Sequence, residues 1–340
     1  MGLTLNFGSV TALPSDVNCG FMASVANFNS KYYVCYRGWQ HDETIYIVSC
    51  DEDNLKNWTG FKTPDGAGAY SRFGPFLHAN ANNLFMIYKA PNESNEYPNP
   101  AVFYSVMDKS ETWYGNTIVP GATTDGYPTM TEVNGVLFSV LESNQTNQYC
   151  YGFINTDDSG TVNYKQVPQI RWSQIRDSIG SSSFGPGIAY HPKLQKLVMA
   201  WKGLNTDTRI WWTTGEPFTD PTDLPVLWGD QNTMNDGATA DFNVSLIYFG
   251  DESSGNATMY AFWRSADKDA NYIKYAYMTD DSTWSDPVDV PGAESSSGPS
   301  VCASSDGKSL MIVYKGLEGG NDPDKGAQPV YYITANQQTS

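Results

Sequence analysis

Five basic residues recur through this chain at the ends of short apolar runs: Arg37, Lys89, Lys202, Arg264 and Lys315. Each closes an aromatic-basic phrase, read as Tyr36-Arg37-Gly38, Tyr88-Lys89, Trp201-Lys202-Gly203, Trp263-Arg264 and Tyr314-Lys315-Gly316. An acidic loop follows, with Asp42 in the first copy and Asp207 in the fourth, and after it comes a ring: Tyr46, Phe103, Trp211 or Tyr331. Lysine and arginine only donate hydrogen bonds and a carboxylate only accepts them, so such a pair can bracket vicinal hydroxyls. The apolar C–H face of a pyranose packs on an aromatic ring. Because this equipment is spread over copies instead of gathered in one constellation, it favours binding a sugar over reacting with one.

The elements that must position these groups form a repeat, which fixes the architecture. Turn glycines at Gly20, Gly74, Gly126, Gly185, Gly237 and Gly298 are spaced by 54, 52, 59, 52 and 61 residues, giving six copies. Each copy holds a turn, a strand, a second strand ending at the base, a loop, and a third strand such as Ile45-Tyr46-Ile47 or Ile210-Trp211-Trp212. Aromatic and β-branched residues fit a pleated, half-buried surface, and these runs are too short for helices. A fourth, outer strand is marked by Trp58, Trp113 and Trp284. Glu142 replaces the base in the third copy and Lys274 replaces the ring in the fifth.

The last copy lacks a fourth strand, since only Ala335 to Ser340 follow Val330 to Thr334, while a spare strand, Leu3 to Val10, precedes the first turn. If that strand completes the last sheet, the ring closes and no edge is left to pair with another chain. The expectation is therefore an all-β, six-bladed β-propeller of four-stranded antiparallel blades, residues 1–340 forming one domain. In such a wheel the base, the acidic loop and the Gly-centred turn share one face, with slots between adjacent blades.

A net charge of -17 argues against nucleic-acid binding, which needs clustered Lys and Arg, and against anionic lipid. It suits a soluble protein with a neutral ligand. No stretch approaches the ~20 apolar residues of a membrane helix, so no membrane insertion is expected. No basic region followed by an apolar run opens the chain, which points to a cytoplasmic protein or one released without a signal peptide. The five cysteines, Cys19, Cys35, Cys50, Cys150 and Cys302, have no CxxC spacing and read as free thiols on strands. Sequons begin at Asn57, Asn92, Asn144, Asn243 and Asn256, and matter only in a secretory pathway.

Three turns share an SxxGP form, at Ser71 to Pro75, Ser182 to Pro186 and Ser295 to Pro299. With these, and with Trp201-Lys202-Gly203, Asp207 and Ile210-Trp211-Trp212, the chain resembles the W-K-G...I-Y-Y-S...D-G-x-W repeat of sialidase-like propellers, notably the six-bladed mushroom lectins that bind terminal N-acetylglucosamine. The resemblance implies multivalent recognition of terminal non-reducing sugars in shallow slots, on glycoproteins or cell surfaces, without cofactor, metal or catalytic residue. Carried onto matching positions, it makes Arg37, Lys89, Lys202, Arg264 and Lys315 basic contacts, Asp42 and Asp207 their acidic partners, and Tyr46, Phe103, Trp211 and Tyr331 stacking or wall residues. A structural reading stands beside this one: a base at a strand end can pair with a neighbouring blade's carboxylate, and rings at period-two spacing also serve packing.

The enzyme alternative is a glycoside hydrolase. A sialidase is expected to converge three arginines and a Tyr/Glu pair, but only Arg37, Arg72, Arg171, Arg176, Arg209 and Arg264 exist, and Asp157 to Thr161 is a partial echo of the sialidase box. Other glycosidases need two carboxylates ~5 to 9 Å apart, and no such pair stands out of the repeat. His41, His78 and His191 are scattered and read as loop or surface histidines, His41 being nearest the expected ligand face. The loop Asn321 to Gly326 lacks the distal Glu of a calcium loop. The Gly-His and Trp-Asp signatures of WD40 interaction wheels are absent.

Overall fold

The computed structural model describes residues 3–62, 69–91, 101–133, 135–143, 149–154, 173–174, 182, 184–217, 227–267, 271–280, 283–317 and 328–338. They form six antiparallel sheets, each running in simple order from an inner to an outer strand. The inner strands are Ala23–Phe28, Phe76–Ala79, Thr129–Val133, Gly187–His191, Ser245–Phe249 and Ser300–Ala303, and each lies beside the next around the ring, the last returning to the first. The second strands are Lys31–Arg37, Asn83–Lys89, Val136–Glu142, Lys196–Lys202, Thr258–Arg264 and Ser309–Lys315. The third are Ile45–Asp51, Ala101–Asp108, Tyr149–Ile154, Ile210–Glu216, Tyr272–Asp280 and Val330–Gln337. This is the six-bladed propeller expected from the repeat.

Closure follows the expected route. Leu5–Phe7 pairs with the far end of Val330–Gln337, with Leu5 opposite Gln337 and Phe7 opposite Ala335. That partner strand runs three residues past Thr334, where the sequence reading ended it, because Ser309 on one side and Asn6 on the other both take up Asn336. The Tyr260 hydroxyl donates to Leu3 O at 2.7 Å and Tyr275 OH accepts from Leu5 N, tying the closing strand to the neighbouring blade.

The core is divided among the seams. Six clusters of buried residues occur, and each draws its members from two adjacent blades. Second strands such as Asn83–Lys89 are buried throughout because both faces pack on neighbouring blades. Burying a large side chain is worth about 1.5–3 kcal/mol, so every seam holds two blades together and none folds alone.

The turns bring backbones of successive blades very close. A Cβ on Gly185 would lie 1.7 Å from Tyr127 O, and one on Gly74 would lie 2.3 Å from Met22 O. Only a residue without a side chain fits such an approach. The fifth copy corrects the sequence register: its turn residue is Asn243, which faces Gly298 across the seam, whereas Gly237 sits in an open loop at φ +90°. Asn243 is buried there, so its sequon is closed to modification in the folded chain.

The five cysteines are free, with Cys19, Cys35 and Cys50 buried. His191 is a buried and His78 a half-buried strand residue, not the loop or surface groups expected from sequence; His41 is exposed. The loop Asn321 to Gly326 and the segment Asp157 to Thr161 lie outside the described residues. Among the described residues no helix is long and apolar enough to cross a membrane, and no group of three or more His, Cys, Asp or Glu could hold a metal ion.

Candidate functional site

Alternation along the strands decides which slot each polar group enters. Each base pairs with a residue at the start of the third strand: Arg37 with Ile45, Lys89 with Val102, Lys202 with Ile210, Arg264 with Ile273 and Lys315 with Val330. Those partners pack in the seam toward the following blade. The residue before each base pairs with the expected ring, as Tyr36 with Tyr46, Tyr88 with Phe103, Trp201 with Trp211 and Tyr314 with Tyr331. These rings pack toward the preceding blade.

The base and the ring of one copy therefore lie on opposite faces of its sheet. A slot combines the base of one blade with the ring of the next: Lys315 with Tyr46, Arg37 with Phe103, Arg264 with Tyr331. Lys202 meets the position of Lys274, Lys89 that of Cys150, and Glu142 that of Trp211. Lys202 and Trp211, which look like one site along the chain, belong to different slots. Tyr46, Trp211 and Tyr331 are half-buried and Phe103 is buried.

The acids do not face the bases. Asp207 accepts from the Trp211 indole Nε1–H at 2.9 Å and from Arg209 Nε at 2.8 Å and Nη2 at 3.0 Å. These bonds, those from Arg209 first and then that from Trp211, hold its carboxyl down at about 2. The Arg209 guanidinium also lies over the Trp211 ring, 4.7 Å from its centre. In the first copy the Tyr46 hydroxyl donates to Asp42 Oδ2 at 2.8 Å and Thr44 N donates to Oδ1 at 3.0 Å. Burial raises the Asp42 carboxyl, but the bonds from Thr44 and Tyr46 outweigh it and the net shift is downward. Gly38 and Gly203 make room, since a Cβ there would meet Asp42 or Asp207 within 2.4 or 2.5 Å.

Four bases are spent largely on their own surroundings. Lys202 Nζ donates to Gly203 O at 3.0 Å, Asn205 O at 2.8 Å and Asp207 O at 3.4 Å. Lys89 Nζ pairs with Asp125 across the seam at 3.2 Å and lies over the Phe73 ring. Arg264 bonds Asn271, lies 3.8 Å from Asp241 and covers Phe242. Arg37 donates to Gln40 O at 2.9 Å and reaches Glu43 only at 4.0 Å. Burial pushes Lys89, Lys202 and Lys315 below the usual lysine range. Glu142, the acid in the third copy, is pushed up to about 8 by burial, helped by the Asp125 charge.

Two concavities lie near the axis. A cavity of about 460 Å³ is walled by the inner strands and carries His78 and Glu132, its sole lining carboxylate among the described residues. Burial alone holds His78 neutral, near 4, and among the described residues neither its Nε2 nor Glu132 Oε2 has a partner. A second pocket of about 300 Å³ opens over blade 6, walled by Phe21, Trp39, Phe242, Ser297, Lys315 and Gln328. Phe21, Trp39, Phe242 and Gln328 were not anticipated. Phe73, Phe184 and Phe242 precede the turn residues of the second, fourth and fifth copies, and that recurring Phe was the signal available in the sequence.

No family model matches the chain, and no curated protein matches it. Solved structures show the same wheel. An alpha-L-arabinanase of Penicillium chrysogenum, solved with arabinobiose, is similar at a TM-score of 0.63 and 11% identity, over 96% of this chain and 98% of that one. The fungal lectin of Aleuria aurantia, described as six-bladed with a novel fucose recognition mode, is similar at 0.57 and 12%, over 87% and 88%. A glucose dehydrogenase is similar at 0.58 and 10%, over 98% and 100%. At these identities the likeness is one of fold.

Proposed function

We propose that this protein is a lectin that holds terminal non-reducing sugars, N-acetylglucosamine foremost, in slots between its blades, with glycans on glycoproteins or cell surfaces as partners. The observation that carries this reading is the slot itself. Donors of one blade and a half-exposed ring of the next recur in register around one face, as Lys315 with Tyr46 and Arg264 with Tyr331. A ring for the apolar sugar face and donors for its hydroxyls are the minimum for recognition. The choice of N-acetylglucosamine comes from the W-K-G repeat. The wheel shared with a fucose-recognising lectin is consistent with sugar binding.

The slots are unequal. Glu142 and Lys274 leave their slots without the full set, and Lys89 and Lys202 are occupied internally. We therefore assign the leading site to Lys315 with Tyr46; Arg264 with Tyr331 keeps a half-exposed ring but a base held by Asn271 and Asp241, and Trp211, held by Asp207, is a third platform. Weak single sites would gain on a glycan-bearing surface by ~10² or more through multivalency.

Hydrolysis, the activity in the name of the arabinanase, would need two facing carboxylates. The described wall of the central cavity offers Glu132 alone, which supports binding. Incubation with aryl glycosides and arabino-oligosaccharides tests the point: no turnover is expected, and turnover abolished by Glu132→Gln would establish an enzyme instead.

A further inference from the structure

Lys315 differs from the other four bases. Its ammonium can donate three hydrogen bonds, yet among the described residues it makes one, to Gly20 O at 3.5 Å, the outer limit of such a contact. No carboxylate of the described residues pairs with it, and the Arg37 charge acts on it from across the seam. Gly20 separates the two cations, and a Cβ there would lie 3.1 Å from Arg37 Nη1. A buried charge without a partner is costly, so two cations held at one seam mark a place where an anion would be stabilised.

The position of Lys315 is fixed from behind. Ser295 Oγ donates to Lys315 O at 2.8 Å and Ser296 Oγ to Gly316 O at 2.8 Å. Beside it Gln328 is 1% exposed, lines the same pocket, and its Oε1 has no donor among the described residues. Burial of an unsatisfied acceptor carries a penalty that a ligand hydroxyl would relieve. Phe21, Trp39 and Phe242 supply apolar walls, and about 300 Å³ is the size of a small ligand site.

We propose that the pocket over blade 6 is a single binding site for a hydroxylated carboxylate, a sugar acid of the uronate class. Its carboxylate sits on Lys315 within the field of Arg37, one hydroxyl donates to Gln328 Oε1, and the C–H face of the ring lies on the aromatic walls. The chain's net charge of -17 favours neutral ligands over most of the surface, and this seam is a local exception. The choice of a sugar rests on the reading of this face as sugar-binding; the choice of an anion rests on Lys315 and Arg37 alone.

Calorimetric titration with methyl β-D-glucuronide and methyl β-D-glucoside tests it on the full chain. The glucuronide is expected to bind at one site per chain at least tenfold more tightly than the glucoside. Lys315→Met should remove that preference, and Lys308→Met, at an exposed lysine outside the pocket, should leave it unchanged. Gln328→Leu should weaken the glucuronide severalfold without lowering the melting temperature, which keeps the test decisive even if Lys315→Met folds poorly. Equal affinities for the two glycosides, a preference that survives Lys315→Met, or unchanged glucuronide binding in Gln328→Leu overturns the proposal. If neutral terminal sugars bind and the glucuronide is not preferred, this site fails while the slots stand. If the glucuronide binds through Lys315 and no neutral sugar binds, the slots fail while this site stands.

Discussion

The indole Nε1–H of Trp211 donates to the carboxylate of Asp207 at 2.9 Å, four residues before it, and the Tyr46 hydroxyl donates to Asp42 in the same position of the first copy. An acid and a ring spaced in this way close the loop between the second and third strands. The acid then serves the ring, holding its polar edge at the face of the wheel, and takes no part in a pair with the base.

Asp207→Asn should therefore act on the loop before it acts on a ligand. Losing charge-assisted bonds to Arg209 and Trp211 is expected to cost about 1–2 kcal/mol, with a change in tryptophan emission. The folded carboxyl titrates near 2, below its unfolded value, so its contribution is present above the unfolded value and is lost as pH falls through about 2. Thermal melts of the two proteins should differ at neutral pH and converge toward pH 2; a constant difference would show that the charge is not the cause.

Lys202→Met should destabilise the protein by about 2 kcal/mol, because three carbonyls lose their donor. Proteolysis of the loop 203–209 should quicken, while sugar affinity at the slots of Lys315 and Arg264 holds. Unchanged stability with lost sugar binding would instead make Lys202 a ligand contact.

Glu142→Gln should make the protein less sensitive to alkali. The Glu142 carboxyl is raised to about 8 in the fold, mainly by burial, so the folded state holds its proton where the unfolded state has released it. The stabilising share of that proton is complete below the unfolded value and disappears as pH rises through about 8. Chemical denaturation should show the variant gaining on the parent between about pH 5 and 8, by an amount on the order of 2–3 kcal/mol. Parallel profiles would place the proton elsewhere.

Much of the wheel was legible because a repeat states its own period, and the closing strand could be counted from the chain ends. The site was less legible. Trp201-Lys202-Gly203 and Trp211 lie close along the chain, but strand alternation sends Lys202 and Trp211 to opposite faces of one sheet, so the true pairing runs between copies. Asp207 looked like a partner for Lys202 because composition shows charge and not direction. Asn243 was passed over for Gly237 because a glycine was expected where a buried asparagine stands. The pocket over blade 6 needs Phe21, Phe242 and Gln328, brought together only by closure of the ring.

Gly185→Ala should break the seam between blades 3 and 4, since its Cβ would lie 1.7 Å from Tyr127 O. Backbone on the other side cannot swing away, so a loss of roughly 3 kcal/mol or more is expected. Gly135→Ala has nothing within 4 Å, but its φ of +80° makes it strained by about 1 kcal/mol, and it serves as the control. Equal losses in the two variants would mean that the close approach to Tyr127 O is not what keeps Gly185.

The central claim, sugar recognition in inter-blade slots, is tested most directly on a glycan array probed with the parent protein and with Tyr46→Ala/Tyr331→Ala. The parent is expected to bind glycans ending in N-acetylglucosamine or a related terminal sugar, and the double variant, still folded, to lose most of that signal. No binding to any terminal sugar, or binding unchanged in the double variant, would contradict the account.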